Sequence, residues 1–78
     1  MNFNKLKGKM TEMEYTQEKL AVKLGITLQS LNSKINNRSQ FNFGEIIKII
    51  NVLQINSNEI VEIFFKDNIL NMQQRLGD

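Results

Sequence analysis

Residues 16 to 36 read TQEKLAVKLGITLQSLNSKIN, and the spacing of their apolar side chains decides the fold. Leu20 and Leu24 stand four apart with Ala21 beside the first, and Leu31 and Ile35 repeat that interval. A helix turns about 100° per residue, so each half carries one apolar stripe on an otherwise polar rod. Gly25 falls between the halves, where a left-handed residue lets the chain leave one helix and enter the next at once. Thr16 and Thr27 precede the two stripes as candidate N-caps, since a hydroxyl accepts from backbone N–H groups that a helix start leaves unpaired. Ala21 is small where the second helix must approach. The segment therefore predicts two short helices, about Gln17 to Leu24 and Leu28 to Asn36, joined as a helix-turn-helix.

Helical periodicity extends outward from this unit. Phe3, Leu6, Met10 and Met13 recur at spacings of three and four, which predicts a first helix over Phe3 to Met13, with Tyr15 a core aromatic before the Thr16 cap. A polar loop over 37–42 holds Arg38 and the apolar Phe41. A fourth helix is expected over Phe43 to Leu53, with Ile46, Ile47, Ile50 and Leu53 inward and Lys48 and Asn51 outward. Its IIKII run has strand propensity, but the length and flanking polar pattern favour a helix. A fifth helix follows Asn56-Ser57-Asn58, capped by Ser57, with Ile60, Ile63 and Phe64 inward. Residues 66–78 either continue as a short helix through Ile69, Leu70 and Met72 or fray. The expected class is all-α, about five short helices with a possible short sixth, in one domain spanning 1–78.

Composition narrows the function. Seventy-eight residues allow one small core, marginal unless well packed or dimeric. There is no cysteine for a disulfide or thiolate metal site, and no histidine as general base or metal ligand. The few glutamates are scattered along helix surfaces, so catalysis is not expected, and neither is a cofactor, metal or small-molecule ligand. No signal peptide or membrane-spanning run is visible, which points to a cytoplasmic protein. The net charge is only +2, but it is unevenly placed. Residues 1–40 hold seven cations against three anions, and residues 41–78 hold three against five. The half with the helix-turn-helix is the basic half, as phosphate binding requires.

The segment resembles the helix-turn-helix of phage Cro and lambda-type repressors, the Xre-like group of small bacterial and phage regulators. The resemblance rests on Gln17 to Ala21, on Leu24-Gly25-Ile26-Thr27 and on Leu31 through Asn37, and continues more weakly from Phe41 to Phe65. It covers roughly residues 3 to 65. Family members often carry glycine where this chain has Glu14. The resemblance implies a lambda-repressor-like domain acting as a transcriptional regulator of phage or prophage origin. A homodimer would bind a pseudo-palindromic double-stranded operator, with the third helix in the major groove.

By the family pattern, Leu28, Gln29, Asn32 and Ser33 meet base edges. The amide of Gln29 suits adenine N6 and N7. Leu28 is contested, because periodicity assigns it to the core while the family pattern exposes it to the groove. Gln17, Thr27, Ser30, Lys34, Asn36, Asn37 and Arg38 are expected on phosphates. Phe64 and Phe65 are adjacent, so one enters the core while the other faces out; Phe65, Ile69, Leu70 and Met72 are the expected dimer seam. The alternative is a protein-binding module on the same fold, such as an antirepressor or the antitoxin-type partner of another protein.

Overall fold

Each of the five α-helices among the described residues starts at a polar side chain that accepts from the backbone N–H three residues on. The structure, a computed structural model describing residues 1–65, contains five helices and no strand among those residues. They are α1 (Phe3–Glu12), α2 (Gln17–Leu24), α3 (Leu28–Ile35), α4 (Phe43–Val52) and α5 (Ser57–Ile60), the last running directly into a wider π-type turn at Val61–Phe65. Asn2 accepts from Lys5, Thr16 from Lys19 and Thr27 from Ser30, at 3.1, 3.2 and 3.0 Å. Asn42 accepts from Glu45 and Asn56 from Glu59, and each glutamate reaches back to its cap residue's N–H, completing two capping boxes. Helix five is thus capped by Asn56; Ser57, expected as the cap, is its first helical residue. Asn56 wins because Glu59 lies three positions on, so both side chains satisfy a backbone donor.

The four connections between helices share one exit. Glu14, Gly25, Asn37 and Gln54 all have left-handed backbones, with φ of 61°, 71°, 62° and 52°. The next residue then donates its N–H to a carbonyl five positions back: Tyr15 to Met10, Ile26 to Ala21, Arg38 to Ser33 and Ile55 to Ile50, at 2.8 to 3.1 Å. This is the Schellman closure, which takes up carbonyls that a helix end leaves unpaired. Only one of the four positions is glycine.

The core joins α1 to α4 and the π-type turn through Leu6, Met10, Leu20, Ala21, Leu24, Leu31, Ile35, Ile49, Leu53, Ile55, Ile63 and Phe64, with Ile60 of α5 packed against it. Helix four keeps most of the expected setting, with Leu53 buried and Ile46 and Ile50 packed against the core, but Ile47 is not inward. Ile49 is fully buried, whereas Ile47 is 41% exposed. The inward stripe is Glu45, Ile49 and Leu53, each four apart, and Ile47 lies about 160° around the helix from Ile49. Phe64 enters the core and Phe65 faces out, as their adjacency requires. Alpha-1 lies against the π turn at the far end of the described chain. Asn2 donates its N–H to the Ile63 carbonyl at 2.6 Å. Lys5 pairs with Glu62 and Lys9 with Glu59; residue order rises on one side as it falls on the other, so the two segments run antiparallel.

Candidate nucleic-acid interface

Thr27 and Gly25 set the position of α3. The chain leaves α2 through Gly25, and only Ile26 intervenes before the Thr27 cap. Leu31 and Ile35 anchor α3 in the core, with Ala21 of α2 buried too. Rotating about 100° per residue from these anchors places Gln29, Asn32 and Asn36 on one outward arc with Leu28 at its core-side margin, and all four are exposed. Leu28 is 43% exposed, so it joins this arc and not the core. Ser33 lies half-buried at its edge. The Asn36 amide donates to the Asn32 side-chain oxygen at 2.6 Å, which leaves the Asn32 NH₂ to face outward.

The residues expected on phosphates divide. Gln17 is the first residue of α2, half-buried at a helix N-terminus. Thr27 is exposed; its oxygen accepts from Ser30 N–H, so its hydroxyl proton remains to donate. Ser30 is half-buried, while Asn37 and Arg38 are exposed just beyond α3. Arg38 stands where the other three helix closures place Tyr15, Ile26 and Ile55, which pack in or against the core. Its backbone is pinned to Ser33 at 2.8 Å, and its guanidinium has no ion pair among the described residues.

Lys34 departs from expectation. It lies about 200° around α3 from Asn32, and its ammonium contacts both Glu45 oxygens at 2.6 Å. It also sits 5.9 Å from the centre of the Phe41 ring, close enough for a cation–π contact. Its charge is spent inside the protein, which removes it from the outward arc. Lys5 and Lys9 are likewise held by glutamates, Glu62 of the π-type turn and Glu59 of α5. The exposed cations without an ion pair on this half of the described chain are Lys7, Lys19, Lys23 and Arg38.

Glu45 is the residue that sequence reasoning missed. It is 7% exposed and accepts from both Lys34 and the Asn42 N–H, the latter at 2.9 Å. Burial opposes its ionisation, but the Lys34 ammonium and the Asn42 N–H outweigh that and hold its carboxyl below the usual range. Asn42-x-x-Glu45 was a visible capping-box pattern, though nothing local marks Lys34 as its partner. Beside this node a cleft of about 220 Å³ is lined by Met1, Phe3, Asn37, Ser39, Gln40 and Phe41. A second, of about 240 Å³, lies between α1 and α5 and is lined by the paired charges there. The expected dimer residues Ile69, Leu70 and Met72 lie outside the described residues; Phe65 is 45% exposed, with Val61 four residues before it at 43%.

No helix among the described residues is long and apolar enough to cross a membrane. A family model described as "Protein of unknown function (DUF739)" matches residues 1–67. No curated protein and no solved structure matches the chain.

Proposed function

The chain belongs to the DUF739 family of proteins of unknown function, and we propose that it is a sequence-specific DNA-binding transcriptional regulator of the Cro-like kind. One observation carries this reading. Alpha-3 is anchored by Leu31 and Ile35 and turns Leu28, Gln29, Asn32 and Asn36 outward together. An amide-rich helix face with one aliphatic residue matches the chemistry of the major groove, where amides pair with adenine and leucine packs on the thymine methyl. Gln17, Thr27, Asn37 and Arg38 frame it as phosphate donors, a class that positions the protein without reading sequence. Lys34 is not among them.

One such helix spans too few base pairs to define a unique genomic site, so a two-fold pair of subunits is part of the proposal. Their α3 helices would lie about 34 Å apart, one turn of B-DNA. Selection of bound sites from random duplex DNA tests the reading. Enrichment of a pseudo-palindrome with half-sites about 10 base pairs apart is expected. Recovery of unenriched sequence would defeat it.

A second reading, a protein-binding module on this fold, draws on Phe43 and Ile47. They stand four apart on α4 at 79% and 41% exposure, an apolar strip of the kind that partners cover. Failed site selection together with a stoichiometric protein partner lost on Phe43→Ser would favour it.

A further inference from the structure

We propose that Lys34 and Glu45 form a latch that sets the attitude of α3 and of the loop after it, making both positioning residues for DNA recognition. The inference rests on the DNA-binding reading. Among the described residues this is the one side-chain hydrogen-bonded link between α3 and α4. It spans the segment that carries Asn36, Asn37 and Arg38. Asn42 and Phe41 of the loop both engage it. The ammonium bridges both carboxylate oxygens at 2.6 Å. Glu45 accepts from Asn42 N–H at 2.9 Å while Asn42 accepts from Glu45 N–H at 2.8 Å, which fixes the loop's far end. Phe41, one residue earlier, lies under the same ammonium at 5.9 Å. At the near end, Arg38 and Ser39 both donate backbone N–H groups to the Ser33 carbonyl, at 2.8 and 3.4 Å.

The loop is thereby held at both ends from one turn of α3. Without the Lys34–Glu45 link, the end of α3 is restrained by Ile35 and by backbone bonds of the turn. A helix in a groove reads bases only while its side chains and its phosphate donors keep one mutual geometry. The latch supplies that registration from the side of α3 facing away from the readers. Neither latch residue touches nucleic acid.

Three variants test this. Glu45→Gln keeps an oxygen for the Asn42 N–H but removes the charge; Lys34→Met keeps the stem and leaves the Asn42 box intact; Lys34→Arg retains the pair. Binding to a site selected from random duplex DNA is measured over a range of salt. The latch expects Glu45→Gln and Lys34→Met each to weaken specific binding about tenfold, with an unchanged slope of log affinity against log salt. The double variant should be no weaker than either single, and Lys34→Arg should bind nearly as the parent does. If Lys34 were itself a phosphate anchor, Glu45→Gln would free the ammonium and tighten binding. Lys34→Met would then lower the slope by about one unit. Either result overturns the latch.

Amide hydrogen exchange provides a readout without DNA. Arg38 and Ser39 should exchange faster in Glu45→Gln and in Lys34→Met, while Leu6 and Met10 of α1 keep their parent rates. Unchanged exchange at 38 and 39 in both variants would overturn the latch even if the parent protein binds no duplex. Absence of duplex binding by the parent would instead overturn the DNA reading alone. If Glu45→Gln fails to fold, the Lys34→Met and Lys34→Arg pair decides the question by the same two measurements.

Discussion

At the scale of single residues, Gln29 and Glu14 illustrate opposite demands on a side chain. Gln29 is exposed on the outward arc of α3 and has no structural partner among the described residues. Gln29→Ala should therefore leave thermal stability nearly unchanged while weakening selected-site binding by about 1–3 kcal/mol and random-sequence binding hardly at all. Equal losses on the two DNAs would exclude base reading. Glu14 closes α1 with φ of 61°, a left-handed backbone that costs a residue with a β-carbon about 1 kcal/mol. Glycine takes this conformation without strain but gives the unfolded chain more freedom, so the two effects partly offset. Glu14→Gly is expected to stabilise by about 0.5 kcal/mol, read as a rise of a few degrees in Tm; a fall would mean that the exposed carboxylate has a stabilising role of its own. Thr16, Thr27 and Gly25 were legible one residue at a time, because capping and handedness are local. Lys34 was not. Its fate depends on Glu45, eleven positions away on another helix, although the wheel arithmetic that sets Lys34 opposite Asn32 needed only the sequence.

At the scale of elements, α2 and α3 were legible nearly to the residue, since their stripes, caps and turn glycine agree with one another. Helix four was legible in extent and in most of its inward residues, but not in the exchange of Ile47 for Ile49. Five of its residues are isoleucine or valine, so hydrophobic pattern alone cannot choose which of them turn inward. The choice falls to the Glu45–Lys34 link and the Asn42 cap, which fix Glu45, Ile49 and Leu53 as the inner stripe. Packing between α2 and α3 has less freedom. Ala21 is 3% exposed in the core that also holds Leu31 and Ile35 of α3, and a larger side chain there would overpack it. Ala21→Leu should cost about 1–3 kcal/mol in chemical denaturation, with the loss of selected-site binding exceeding that of Gln29→Ala. A neutral effect would mean that the two helices do not need this close approach.

At the scale of the whole molecule, charge pairs and an apolar strip govern behaviour that no single helix shows. The backbone N–H of Asn56 and the Lys9 ammonium lower the Glu59 carboxyl, and Glu59 in turn raises Lys9; Glu45 is lowered at the latch. A carboxylate lowered on folding contributes stability that is present above its unfolded value, about 4.3, and is lost as pH falls through the folded one. The raised Lys9 contributes below about 10.4 and loses that contribution as pH rises through its folded value. Stability should thus hold between about pH 5 and 10 and fall away on the acid side, with a shallower acid limb in Glu45→Gln. An identical limb in parent and variant would mean that Glu45 titrates alike in both states. Phe65, of the expected seam between two copies, is 45% exposed, with Val61 exposed nearby. Phe65→Glu should leave the helical content intact, shift light-scattering mass to the monomer and weaken selected-site binding; an unchanged mass would place the seam elsewhere. The pairing of Asn2 with Ile63 bears on how the molecule comes into being. Leu6 and Met10 share a core with Ile63 and Phe64, so α1 cannot complete its packing until the turn at Val61–Phe65 has been made. Loop-closure entropy must be met across nearly the whole described chain before that contact gives anything back. A translating ribosome therefore releases α3 well before the domain around it can close, and a chain halted short of Ile63 carries the exposed α3 face without the scaffold that orients it.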